Sequence, residues 1–204
     1  MKTAAGFLVV AVGLFAIGII APAQQMKPAT AAPTVASVMN TQLTIVEHEF
    51  VAAADAMPAD KYAFSPTGSG DFKGVRTFAQ EVKHVATVNF AFYSAILEQT
   101  PPPGVSANEQ MNGPNDIQTK EQIMKYLRDS FALGHKAFAT ITARNATTAI
   151  SKPPIPFLNT RLALASFGCT HAFDHYGQMV EYLRMNGIVP PASKGQPPAN
   201  PASR

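Results

Sequence analysis

Three histidines stand on stretches free of proline: His84 in E-V-K-H-V-A-T, and His171 with His175 in T-H-A-F-D-H-Y-G-Q. Residues four apart on a helix lie about 40° apart round the axis and about one turn along it, so His171 and His175 project the same way. Two imidazoles on one face form half a metal site. His84, far off in sequence, would supply the third ligand from a facing helix. Neutral imidazole nitrogen is a common ligand for zinc and also serves nickel, copper and iron, so the expected cofactor is a divalent metal ion, zinc before nickel or iron. Three neutral ligands leave coordination positions free. Structural zinc sites are normally closed by four protein ligands, whereas catalytic ones keep a position for water or substrate.

Metal-bound histidines usually donate their second N–H to a carboxylate or carbonyl, which makes Asp174, beside His175, and Glu81, one turn before His84, candidates to orient the ligands. Both also read as solvated acids at the margin of their stripes. Gln178 and Tyr182, one and two turns beyond the histidine pair, are candidates to line a pocket over the metal, with core packing the alternative for Tyr182. His48 lies between Glu47 and Glu49, a polar setting expected of an exposed face, and His135 falls on the flank of its helix. Cys169 is about 200° from His171 round the helix, so a Cys-His nucleophile pair is not expected. Glu81-x-x-His84 matches half of a di-iron carboxylate motif, but the chain has no second E-x-x-H to complete it.

Proline placement shows which elements must position these residues. Pro58 and Pro66, then Pro101 to Pro114, then Pro153 to Pro156, then Pro190 and Pro191 divide the chain into four Pro-free segments. Proline breaks helix interiors but is tolerated in loops and first turns, so helices are expected at about Val35 to Ala56, Val75 to Gln99, Thr119 to Asn145 and Asn159 to Asn186. In the third segment Ile123, Leu127, Phe131, Gly134, Phe138 and Ile141 recur at spacings of three and four, a single apolar stripe. In the fourth, Leu164, Phe167, Gly168, His171, Asp174, His175, Gln178, Tyr182 and Met185 read as one face, apolar at both ends and polar in the middle. In the second, Thr77, Glu81, His84, Val88, Ala91 and Ala95 align. Asn186-Gly187 reads as a C-terminal cap. Four helices without a strand pattern imply an all-α four-helix bundle over residues 35–191, and Thr100 to Gln118 is long enough for a crossover connection between helices two and three.

Of the 204 residues only 14% are charged, below the roughly 25% usual for soluble domains. The net charge is +3, with no basic run interleaved with aromatics, which argues against nucleic acid as a partner. Lys2, an apolar run from Ala4 to Ala21 and the small-x-small site Ala21-Pro22-Ala23 read as an export signal over residues 1–23, cleaved after Ala23. An uncleaved membrane anchor is the alternative, since the run approaches the roughly 18 to 20 residues a spanning helix needs. Periplasmic or secreted localisation is the expectation, with no stable membrane insertion once the signal is removed. A flexible segment is expected at 24–34 and a disordered Pro/Ala-rich tail at 192–204. The lone Cys169 excludes an intrachain disulfide.

The run F-V-A-A-A-D-A-M-P-A-D-K-Y-A-F-S-P-T from Phe50, then V-R-T-F-A-Q-E-V-K-H-V-A-T-V-N-F-A-F-Y, resembles the first two helices of exported DinB-family (DinB/YfiT-like) proteins. The closing H-A-F-D-H-Y-G-Q-M-V-E-Y-L-R-M-N-G-I-V-P-P-A-S is similar to that family's last helix and following turn, and the stretch 68–74 is slightly longer than the family pattern. The resemblance implies a four-helix bundle holding a divalent metal through three histidines, which fall here on His84, His171 and His175. The acidic position before the last histidine, often Glu in the family, is Asp174 here. Family activities include metal-dependent thiol transfer and thiol-dependent isomerisation, and other members were named for induction by DNA damage. The expected function is that of an exported metal-binding protein, a metal-dependent hydrolase or transferase acting on a small molecule. The alternative is a non-catalytic exported protein that binds metal or a small ligand; homodimerisation is left open.

Overall fold

Each of the four helices begins on a threonine. In the computed structural model, which describes residues 32–66, 74–105 and 111–195, α1 spans Val35–Ala56, α2 Phe78–Ile96, α3 Lys120–Ala139 and α4 Arg161–Met185. Thr34, Thr77 and Thr119 close reciprocal capping boxes with Ser37, Gln80 and Gln122, and the Thr160 hydroxyl accepts from the amide of Ala163. Each hydroxyl satisfies a backbone donor that the first turn would leave bare. Among the described residues there is no strand, only an isolated antiparallel bridge between Ala149 and Thr160. The expected signal at 1–23, most of the segment 24–34, residues 68–73 of the long stretch and the tail beyond 195 lie outside the described residues.

The expected α1 coincides with the observed one, and the other three helices are shorter than their Pro-free segments. Thr77 sets the start of α2, leaving Val75 and Arg76 outside. α3 stops at Ala139 because Thr140, Thr142 and Asn145 take the backbone for themselves: the Asn145 side chain accepts from the Thr142 amide at 2.7 Å and donates to the Thr140 carbonyl at 3.0 Å. Short polar side chains compete with helical bonding in this way. α4 ends as expected. Gly187 has φ +72°, its amide bonds the Arg184 carbonyl, and the Ile188 amide reaches back to Leu183, the paired bonds of a Schellman motif. Pro191–Ser193 then forms a short 3-10 turn against α1, so ordered chain continues to the first residues of the expected tail.

α1 and α2 each pack on both α3 and α4, and α2 lies most extensively against α3. Asn89 bonds Ser130, Thr87 meets Tyr126, and the Tyr93 ring packs on Gly134, so α2 and α3 run parallel. Glu81 faces His175, His84 faces His171 and Phe92 faces Phe167, so α2 and α4 run antiparallel. α1 is antiparallel to α3, with Asn40 and Glu47 opposite His135 and Phe50 opposite Phe131. Parallel neighbours cannot be joined by a hairpin, so the connection from α2 to α3 must travel back along the bundle. It does so beside α2, where Lys83 Nζ donates to the carbonyls of Pro114 and Ile117 and Arg76 Nε donates to the Asn112 side chain.

The core is continuous through all four helices, and Leu43, Phe50, Phe78, Tyr93, Leu127, Phe131, Phe138 and Leu164 are among its fully buried side chains. Each such burial contributes about 1.5–3 kcal/mol. On α4 the buried face differs from the expected stripe. Ala165, Cys169, Ala172, Met179 and Leu183 are buried, whereas Asp174, Gln178 and Met185 are exposed. The inward face is therefore turned by roughly 80° from the stripe expected from the sequence, and on it Gly168 lets the Tyr93 ring of α2 approach closely. His175 lies within that face and His171 just beyond its edge.

Candidate metal centre

The α2 and α4 backbones bring His84, His171 and His175 together, with one ligand nitrogen from each lying within 4.8 Å of the others. His84 and His175 are 9% and 7% exposed and His171 is half-buried. The ring centroids are 4.5 to 5.1 Å apart. Nε2 of His84 is 3.2 Å from Nε2 of His171.

The outer nitrogens define which lone pairs face inward. His84 Nδ1 donates to the Met111 carbonyl at 3.2 Å, which directs its Nε2 lone pair into the cluster. The acceptor comes from the returning connection after α2. His175 Nδ1 donates to the Glu81 carboxylate at 2.6 Å. Glu81 is 2% exposed, and a carboxylate so buried requires a partner. His171 differs: among the described residues its buried Nδ1 has no hydrogen-bond partner.

Burial lowers the pKa of His84 to about 4, helped by the charges of Arg76 and His175 and opposed by the bond to Met111. Burial, then the two neighbouring histidines and Arg76, lowers that of His171 to about 3. Both rings are therefore neutral at pH 7 and free to donate lone pairs.

A divalent cation fits this donor set. With metal–nitrogen bonds of about 2.0–2.1 Å, two ligands on a tetrahedral centre stand about 3.3–3.4 Å apart, close to the 3.2 Å between the Nε2 atoms. Glu81 behind His175 supplies one negative charge toward the cation's two.

Of the residues proposed from sequence to orient the ligands, Glu81 reaches a histidine and Asp174 does not. Asp174 is exposed and accepts from Gln178 at 3.2 Å. Gln178 Nε2 is 3.5 Å from His175 Nδ1, but among the described residues that line the cavity over His84 and His171 are neither Gln178 nor Tyr182. Tyr182 instead packs on Phe64 and Phe78 and donates to the Arg76 carbonyl. His48 is exposed beside Glu49, and His135 bridges Asn40 and Glu47 on α1, away from the cluster. Cys169 is buried, and burial pushes its thiol up to about 11, which makes it inert as a nucleophile.

The Met111 carbonyl was not visible in the sequence, since a backbone acceptor on a loop carries no side-chain signal. The cavity over the histidines, lined in part by Val88, Phe92, Ile155 and Phe167, was not visible either. Its only hint was Phe167 one turn before His171.

Four antiparallel and parallel helices gathered round a three-histidine cluster that could hold a divalent ion define a helical-bundle class of candidate metalloproteins. The chain belongs to the DinB superfamily, whose family model DinB_2 matches residues 42–179, from the first helix to the turn after His175. No curated protein matches the chain.

Proposed function

We propose that this protein binds one divalent metal ion, zinc in the first instance, through Nε2 of His84, His171 and His175. The observation that carries the reading is the pair of outer hydrogen bonds, His84 to Met111 and His175 to Glu81, which aim two imidazole lone pairs at a common point beside the third ring. Such partners behind the ligands are the usual means of holding metal-binding histidines in one tautomer. Bound there, the cation would act as a Lewis acid and lower the pKa of an oxygen or sulfur donor.

His171 is the residue to remove in a test. Removing His175 would leave the Glu81 carboxylate buried without its partner, at a cost of about 3–5 kcal/mol, and would confuse unfolding with metal loss. Metal content of the zinc-loaded, gel-filtered protein should be one ion per chain, and His171→Ala should lose most of it. Equal, substoichiometric metal in both proteins would refute the site.

Two uses of the centre are proposed. In the first, the protein is a metal-dependent hydrolase or transferase acting on a small molecule, supported by the three-ligand set and the cavity that opens over two of the ligands. In the second it binds metal or a small ligand without turnover. That reading is favoured by the cavity lining, which among the described residues holds no acid or base besides His84 and His171. Activity outside the cytoplasm is also proposed, on Lys2, the apolar run that follows and Ala21-Pro22-Ala23. The mass of the protein recovered from its native host tests it: loss of residues 1–23 is expected, and a full-length mature chain would overturn cleavage. No helix among the described residues is long and apolar enough to cross a membrane.

A further inference from the structure

A cavity of about 550 Å³ opens over His84 and His171, and His175, which holds Glu81, does not line it. Its wall is apolar: Val88 and Phe92 from α2, Ile155 from the loop before α4, and Phe167 from α4. Phe167 lies nearly parallel to the His171 ring, with centroids 6.1 Å apart, and 5.8 Å from Phe92. It remains 38% exposed, so this aromatic surface is left without full cover beside the histidines.

Polarity changes along the depression. Ala91 and Pro154 also line a second cavity of about 470 Å³, whose wall includes Glu98, Ser151 and Lys152. Among the described residues the charged side chains stand in the second cavity, away from the histidines, and a charged group on the body of a ligand would gain no partner beside His84 and His171. The volume is in the range of small-molecule sites, which combine an apolar wall with a few placed polar groups.

We infer that the site takes an elongated small molecule with a single donor head for the metal, an uncharged apolar body against Val88, Phe92, Ile155 and Phe167, and polar groups confined to the end that reaches Glu98, Ser151 and Lys152. This rests on the metal-centre reading for the head and on the cavity alone for the body.

The two parts separate experimentally. Zinc-loaded protein is titrated calorimetrically with n-alkyl hydroxamic acids from acetohydroxamic to octanohydroxamic acid, and metal-free protein with n-alkanols of matching length. Affinity should climb about three- to fourfold per methylene in both series, the factor that transfer of a methylene out of water gives. If the alkanols show the slope and the hydroxamates bind no better than the alkanols, the metal centre fails and the apolar chamber stands. If neither series depends on length, the inference is overturned.

Ala91→Phe fills the chamber at the junction of the two cavities without touching a histidine. It should weaken octanohydroxamic acid at least tenfold and leave acetohydroxamic acid and the metal content as they were. Equal octanohydroxamate affinity in variant and parent would place the body elsewhere and sink the proposal.

Discussion

Glu81 and Asp174 are both carboxylates within reach of the histidines in sequence, and their surroundings separate them. Glu81 is buried and holds His175 at 2.6 Å, whereas Asp174 faces solvent beside Gln178. Glu81→Gln should weaken zinc binding by about 10- to 100-fold, the usual effect of losing a ligand's orienting partner. Asp174→Asn should leave the affinity where it was. Competition against a chromophoric chelator measures both, and equal losses would show that net charge near the site, not orientation, is what counts. His84 and His171 also carry a pH signature in the metal-free protein. With folded-state values of about 4 and 3, both take up protons more readily in the unfolded chain, whose histidines titrate near 6.5. Stability should therefore fall as pH drops from about 6.5 toward those values. Thermal unfolding of the metal-free protein at pH 7, 6 and 5 should show the decline, and the double variant His84→Asn with His171→Asn should flatten it.

Two helix glycines show how elements meet. Glycine in a helix costs about 1 kcal/mol relative to alanine, and at these two positions a neighbouring side chain fills the space it leaves. A Cβ on Gly134 of α3 would lie 2.7 Å from the Tyr93 ring and 2.9 Å from Leu43, and one on Gly168 of α4 would lie 3.1 Å from the same ring. Tyr93 of α2 is thus held between glycines of its two neighbouring helices, which sets how closely α2 lies to α3 and α4 and so where His84 falls opposite His171. Gly177, two residues after His175 and on the exposed side of α4, has nothing within 4 Å of the same position. Gly134→Ala should destabilise by about 1–3 kcal/mol through overpacking, while Gly177→Ala should stabilise by up to about 1 kcal/mol. Denaturant unfolding distinguishes them; a stabilised Gly134→Ala would mean that the ring moves aside freely.

At the scale of the whole molecule, the centre ties α2 to α4 and, through Met111, ties the connection between α2 and α3 to both. An ion bound only by the folded chain adds stability by mass action, about 2.7 kcal/mol at a free concentration of 100 times Kd. For a domain of this size that corresponds to a rise in Tm of about 5–10 °C. Differential scanning calorimetry with and without saturating zinc should show it in the parent protein and not in His171→Ala. An unchanged Tm in the parent would mean that the three rings do not share an ion.

Much of this was legible in the sequence because it is local. Four Pro-free segments implied four helices, and α1 and the Gly187 cap fall where the chain predicts them. The spacing of His171 and His175 places them on one face by helical geometry alone, and His84, on a facing Pro-free segment, stands out as a third ligand that the family resemblance supports. The start of α3 falls at the expected Thr119, while that of α2 is also written locally, in Thr77 with Gln80, and proline spacing alone overlooks it. What the sequence could not decide depends on how helices turn toward one another. On the inward face of α4, Ala165 and Ala172 are buried and Gly168 lies against Tyr93 of α2, and that orientation sends Asp174 and Gln178 outward while Glu81 meets His175. The Met111 carbonyl and the apolar chamber belong to no single segment. They exist because parallel α2 and α3 force the chain between them back along the bundle, past the histidines, and only the assembled fold contains that path.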